Sequence, residues 1–171
     1  GYTTVYNYNS TNNTWEALGQ QIPGEAEWDF SGAAIDLSGD GTIVAIGARG
    51  NDGETASGGH GHVRVFEYIG SNWAQKGSDV DGDPNFNEQF GGVVTLSNDG
   101  NTLIISDLIS ESRAGSVKVY NWNETTSTWE FHQLLKTFFG TGPNNSHRFE
   151  FGSGTAISDD GNVLVIGEYK D

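Results

Sequence analysis

The strongest constraint on this chain is a unit that occurs three times. Its middle copy runs from Phe90-Gly91-Gly92 through Val93-Val94-Thr95-Leu96, turns at Ser97-Asn98-Asp99-Gly100, and ends at Leu103-Ile104-Ile105-Ser106. An earlier copy passes from Phe30 through Ile35-Asp36-Leu37 and Ser38-Gly39-Asp40-Gly41 to Ile43-Val44-Ala45-Ile46-Gly47. A later one passes from Phe151-Gly152 through Ile157-Ser158-Asp159-Asp160-Gly161 to Val163-Leu164-Val165-Ile166-Gly167. The three phenylalanines are 60 and 61 positions apart. A period of that length belongs to solenoids, propellers and arrays, in which each unit buries its apolar face only against a neighbour.

Each copy reads as a hairpin. Its first strand alternates, as in Ile35-Asp36-Leu37, and its second is nearly all apolar, as expected of a strand covered on both faces. Asp-Gly supplies the positive-φ residue of a tight turn, so Asp40, Asp99 and Asp160 read as turn residues. A second pair of strands separates the copies. Val63-Arg64-Val65-Phe66-Glu67-Tyr68 leads to Trp73, and Val117-Lys118-Val119-Tyr120-Asn121-Trp122 leads to Trp129. Thr4-Val5-Tyr6-Asn7-Tyr8 with Trp15 is the first example of this pair. The Val-x-Val alternation has the period of a half-buried strand, and each tryptophan opens the strand that follows.

The expected fold is therefore all-β, a propeller of four-stranded antiparallel blades, each about 55–60 residues long. The chain opens with the last two strands of a blade and closes with the first two. Half-blades are expected over 1–29 and 151–171, and complete blades over 30–89 and 90–150. Three blade-equivalents are fewer than the roughly four to eight that close a ring. The expected partners are thus further blades or other chains, and two copies joined end to end would make six. The absence of Met points to a processed chain or an internal piece.

Charge narrows the function classes. Eight Lys+Arg stand against 23 Asp+Glu, for a formal net charge of -15. Such a surface repels phosphate backbones and anionic lipid, which excludes nucleic-acid binding as an expectation. No apolar run approaches the ~20 residues of a spanning helix, so membrane insertion is not expected. Without cysteine there is neither a disulfide framework nor a thiolate metal site. Asn-x-Ser/Thr sequons begin at Asn9, Asn12, Asn123 and Asn144, all in expected loops, and favour an extracellular or cell-surface glycoprotein.

The ordered set Phe-Gly, Ile46-Gly47-Ala48 and Gly61-His62-Val63-Arg64-Val65-Phe66 resembles the FG-GAP repeat of integrin α-subunit propellers. It is also similar to the repeats of large secreted algal and marine bacterial proteins. The resemblance covers nearly the whole chain and implies a structural or adhesive module. Such a module acts through protein–protein contacts in a surface or matrix assembly, and is not an enzyme. An alternative is a carbohydrate-binding propeller with Trp28 and Trp73 as sugar platforms. FG-GAP blades often carry a calcium loop between their first two strands. The corresponding turns here are too short to wrap the roughly six to eight oxygens that Ca²⁺ takes.

The best candidate for Ca²⁺ is the acidic loop with Asp79, Asp81, Asp83 and Asn85, whose alternating oxygen groups can converge on a hard cation. Its first-repeat counterpart, Glu25-Ala26-Glu27-Trp28-Asp29, is weaker. His60-Gly61-His62 has a spacing that could present two imidazoles to zinc, but no third ligand is evident nearby in sequence. No Ser/His/Asp set, nucleotide loop or paired catalytic carboxylate stands out.

Overall fold

In a computed structural model of the chain, the described residues are 1–51, 59–85, 89–108, 115–135 and 149–170. They are all-β, with no helix among them. The strands are β1 (Tyr2–Thr3), β2 (Tyr6–Asn9), β3 (Thr14–Ala17), β4 (Ile22–Pro23), β5 (Ala34–Leu37), β6 (Ile43–Ala48), β7 (His62–Ile69) and β8 (Asn72–Gln75). They continue as β9 (Val80–Asp81), β10 (Phe90–Leu96), β11 (Thr102–Asp107), β12 (Ser116–Asn123), β13 (Thr128–Leu135), β14 (Phe149–Ile157) and β15 (Leu164–Lys170). Two antiparallel meanders, β5-β6-β7-β8 and β10-β11-β12-β13, form the middle of the molecule, with β9 added to the start of β7. Two-stranded sheets flank them: β2-β3 and β1-β4 on one side, β14-β15 on the other. The sheets do not close into a ring.

Local sequence explains each hairpin. The all-apolar strand β6 is buried at every position, and β11 at all but its first. The Asp-Gly turns are tied off in the same way each time. Ser38 Oγ donates to Asp40 Oδ1 at 2.8 Å, Thr42 N donates to the same oxygen at 2.9 Å, and Ile43 N donates back to Ser38 Oγ at 2.9 Å. Ser97, Asp99, Asn101 and Thr102 repeat the pattern, as do Ser158, Asp160, Asn162 and Val163. The three carboxylates are consumed by the turn, which accounts for their recurrence. Their pKa values are lowered accordingly, chiefly by the Thr42 amide at Asp40 and by the Ser97 and Ser158 hydroxyls at Asp99 and Asp160.

Neighbouring sheets are joined by contacts that repeat with the same period. Trp73 Nε1 donates to Leu18 O at 2.7 Å, and Trp129 Nε1 donates to Lys76 O at 3.0 Å. Each outer-strand indole thus staples its own sheet to the segment leading out of the preceding one. Nearer the inner strands, Leu96 N donates to Asp36 Oδ2 at 2.7 Å, and the Thr95 and Thr155 hydroxyls meet at 2.6 Å. One apolar core, with Ile43, Val63, Val65, Phe90, Leu103 and Ile105, fills the space between the two central meanders. A second, with Ile22, Val44, Ile46, Phe66 and Trp73, joins the first meander to the N-terminal strands. Full burial of side chains this size is worth about 1.5–3 kcal/mol each.

The Phe-Gly motif has a packing role. Gly91 sits at φ 82, and a Cβ there would lie 2.6 Å from the His62 carbonyl oxygen of the preceding sheet. Gly152, one repeat later at φ 88, would place its Cβ 2.6 Å from Ser106 Oγ. Only glycine tolerates both the left-handed backbone and the close approach. The register also slips at this point in both hairpins, between Phe90 and Val93 and between Phe151 and Gly154. These bulges re-aim the entry to the inner strand.

Candidate functional site

The end of the sheets where β6 stops and β7 and β10 begin gathers most of the chemistry-bearing side chains. At its centre is His62, the first residue of β7, whose side chain is only 2% exposed. Its Nδ1 lies 3.7 Å from Glu25 Oε2 and 3.7 Å from Asp79 Oδ2. The three ligand atoms all lie within 4.8 Å of one another, so this acidic/His group could hold a metal ion. Glu25 is on the connection from β4 to β5, and Asp79 immediately precedes β9. The pairing of β9 with β7, His62 opposite Asp81 and Val63 opposite Val80, carries Asp79 to the imidazole.

The remaining oxygens of both carboxylates face protein donors, at ion-pair distance for Glu25 and in a hydrogen bond for Asp79. Arg64 Nη1 is 3.7 Å from Glu25 Oε1, while Arg64 Nη2 donates to Pro23 O at 2.7 Å. Gln75 Nε2 donates to Asp79 Oδ1 at 2.6 Å. Asp81 is beside the group, and its pKa is raised, first by partial loss of solvent and then by the Asp79 charge, with His62 pulling the other way.

Of the four residues expected to form a calcium loop, the fold brings Asp79 to this group and Asp81 next to it. Asp83 and Asn85 turn away and bond to each other, with Asn85 N and Nδ2 donating to Asp83 Oδ1 at 2.9 and 2.7 Å. Those bonds lower the Asp83 pKa. The His60-Gly61-His62 spacing does not put two imidazoles together as ligands; His62 meets the carboxylates and His60 is not in the group. Glu25 and His62 were not legible together, because 37 positions separate them and only strand pairing closes the distance.

Beside the group lies a pocket of about 240 Å³ lined by Trp28, Phe30, Arg49, Gly50, Gly59 and Gln89. Three of these residues, Trp28, Phe30 and Gln89, have positive φ (71, 55 and 54) although none is glycine. Such backbone costs on the order of 1–3 kcal/mol per residue and concentrates at functional sites. Trp28 and Phe30 are 78% and 52% exposed, and the Arg49 guanidinium stands 5.6 Å from the Phe30 ring centre. Asn51 connects pocket and group: its Nδ2 lies 3.3 Å from Asp29 Oδ2 and 3.5 Å from Glu25 Oε2. Sequence reading singled out Trp28 here but gave Phe30 and Gln89, whose significance lies in backbone conformation, and Arg49, whose significance lies in its place beside Phe30, no role in a site.

The second expected platform, Trp73, is buried at 4% exposure between sheets and offers no ring face to a ligand. Asn9, Asn12 and Asn123 lie on or next to outer-strand hairpins, their amides donating to Glu16 or Glu130 at 2.7–3.1 Å. Asn144 lies outside the described residues. A groove of about 490 Å³ runs along the inner strands β5, β10 and β14. Its Asp36 carboxylate is spent on the amides of Leu37 and Leu96, so it offers no free reactive pair there.

Side-by-side four-stranded meanders with repeated inter-sheet staples define an all-β, propeller-like fold. A candidate 6-phosphogluconolactonase from Bacteroides uniformis superposes with a TM-score of 0.61 at 16% identity, over 95% of this chain and 40% of that one. The corresponding protein of Bacteroides fragilis gives 0.58 at 19%, over 94% and 40%, and the periplasmic gluconolactonase of Pseudomonas aeruginosa gives 0.57 at 14%, over 96% and 42%. The chain spans about two fifths of the length of these structures. No family model matches the sequence, and no curated protein sequence matches it.

These neighbours correct the FG-GAP reading and what was inferred from it. The solved structures that share the fold include two candidate 6-phosphogluconolactonases and a gluconolactonase, so the expected integrin-like family, the adhesive, non-enzymatic role and the structural-glycoprotein description are all overturned. The physical reason lies in the motif: Phe-Gly and its companion glycines serve the approach of one sheet to the next. They report how blades pack, which unrelated propellers share, and say nothing of function.

Proposed function

We propose that this chain is part of a propeller hydrolase that opens small cyclic esters of the sugar-lactone class, with the substrate ring seated in the Trp28–Phe30–Arg49 pocket. The observation that carries the reading is the convergence of three left-handed, non-glycine residues and an exposed arginine on one pocket, in a fold shared with gluconolactonase-type proteins. The pocket has room for one sugar-sized ring, below the roughly 300–1,000 Å³ of larger ligand sites. The exposed aromatic faces accept the apolar side of such a ring. In lactone hydrolysis, water adds to the ring carbonyl, the ring C–O bond breaks, and a hydroxy acid leaves. The Arg49 guanidinium is suited to the negative charge that develops on the carbonyl oxygen and then on the product carboxylate.

In this reading the chain supplies three blade-equivalents, bounded near 1–29, 30–89, 90–150 and 151–171, and further blades complete the ring. Export from the cytoplasm remains part of the proposal. Calcium does not, because the group that could take a cation includes an imidazole nitrogen, a donor that hard cations do not seek. The test is a pH-stat assay of glucono-lactone opening by the native protein. Arg49→Ala is expected to lower the rate above background by about 10²–10³-fold, the usual loss for one oxyanion donor. Trp28→Ala should raise KM, while Trp15→Ala, on a distant outer strand, should change neither constant. Native protein that does not exceed spontaneous hydrolysis, or an Arg49→Ala variant as active as the parent, refutes the reading.

A further inference from the structure

We propose that Glu25, His62 and Asp79 form a binding site for one first-row transition dication of the Zn²⁺ type, clasping the segment that leads out of the N-terminal sheet to the first complete meander. The buried imidazole carries the argument. The His62 side chain is 2% exposed, and its Nδ1 stands 3.7 Å from a Glu25 oxygen and 3.7 Å from an Asp79 oxygen. A neutral imidazole donating to one carboxylate would close to about 2.7–3.2 Å. Here it bonds to neither and stands equally far from both.

That disposition fits an ion between them. With Zn–N and Zn–O bonds of about 2.0–2.2 Å at tetrahedral angles, ligand atoms lie about 3.4 Å apart. The two 3.7 Å separations need a contraction of a few tenths of an ångström, which the partly exposed Glu25 and Asp79 side chains can supply. Two carboxylates and a neutral imidazole balance a dication, and three protein ligands leave a fourth position for water.

The surrounding residues orient the ligands for this task. Gln75 Nε2 donates to Asp79 Oδ1 and leaves Oδ2 toward His62; the Arg64 guanidinium stands at ion-pair distance from Glu25 Oε1, and Oε2, the oxygen facing His62, also has Asn51 Nδ2 at 3.5 Å. Supporting contacts of this kind fix ligand direction and are worth about 10–100-fold in affinity. His62 Nε2, in contrast, has no hydrogen-bond partner. A ligating histidine usually donates that proton, so the site is expected to bind in the micromolar range and not tighter. The imidazole also selects the ion, since nitrogen ligands suit zinc and its neighbours while Ca²⁺ takes six or more oxygens.

The experiment is isothermal titration of the native, metal-stripped protein with ZnCl₂ at neutral pH, with CaCl₂ in a parallel series. One equivalent of Zn²⁺ is expected to bind, and Ca²⁺ at equal concentration is not. Glu25→Gln, Asp79→Asn and His62→Gln should each weaken Zn²⁺ at least about tenfold. Asp83→Asn, in the same acidic loop but outside the group, should bind as the parent does. Glu25 and Asp79 are at the surface, so their variants report on the site even if the buried His62→Gln variant fails to fold; circular dichroism confirms their fold. Co²⁺ should add the visible absorption of a four-coordinate N/O site, lost in Glu25→Gln. The absence of saturable Zn²⁺ binding at millimolar concentration overturns the proposal. So does stoichiometric binding retained by the Glu25→Gln/Asp79→Asn double variant, or equal affinity for Ca²⁺. The readout is binding, so this outcome and that of the lactone assay are independent.

Discussion

Replacing Trp73 by Phe isolates one inter-sheet staple. The variant keeps an aromatic ring against Tyr68, whose ring centre lies 5.2 Å from that of Trp73, but removes the indole N–H that donates to Leu18 O at 2.7 Å. A neutral hydrogen bond contributes about 0.5–1.5 kcal/mol net, and leaving a buried acceptor unmet costs about 1–3 kcal/mol. Leu18 is half-buried, so water can reach part of its carbonyl and the lower half of that range applies. The smaller ring also leaves a void at a site only 4% exposed, adding about 1 kcal/mol. The expected loss is about 2–3 kcal/mol, or roughly 4–12 °C in Tm for a chain of this size. Urea denaturation followed by circular dichroism measures it as a fall in midpoint at unchanged m. Trp15→Phe is the control: this indole is 67% exposed and should move stability by no more than about 0.5 kcal/mol. Equal midpoints for Trp73→Phe and the parent, or equal losses in the two variants, would mean that the indole N–H does not join the sheets.

Two further outcomes test the same packing logic. Gly91→Ala should cost at least about 2 kcal/mol, from left-handed strain and from a Cβ driven against the His62 carbonyl, whereas Gly154→Ala, with open space around its Cα, should be nearly neutral in the same melt. Stability should also fall in acid. Asp40, Asp99 and Asp160 have folded pKa values below the ordinary 3.8, so the fold favours their ionised forms; this contribution is complete above that value and is lost as pH falls below it. Urea midpoints across this range should decline for the parent and decline less steeply for Asp99→Asn; a parallel decline would remove the Asp99 turn from the explanation.

What could be read from the sequence is what the chain determines over a few neighbouring residues. Alternation in Ile35-Asp36-Leu37, the apolar run Leu103-Ile104-Ile105 and the Asp-Gly turns identify strands and hairpins, because strand period and turn backbone depend on local sterics. Their recurrence placed Trp73 and Trp129 in equivalent positions before any contact was known. The candidate site has no such local signature. Glu25, His62 and Asp79 come from three stretches and meet only because β9 pairs with β7 and the β4–β5 connection crosses their ends. Trp28 and Trp73 look alike in sequence, yet one stands in solvent on a left-handed backbone and the other is sealed between sheets. Burial is set by neighbouring sheets, and neighbours distant in sequence leave no periodic trace. The same reasoning explains why the Phe-Gly repeat suggested the wrong family: it records the close approach of one sheet to the next, a requirement of the architecture, while the chemistry resides in loops that the repeat does not constrain.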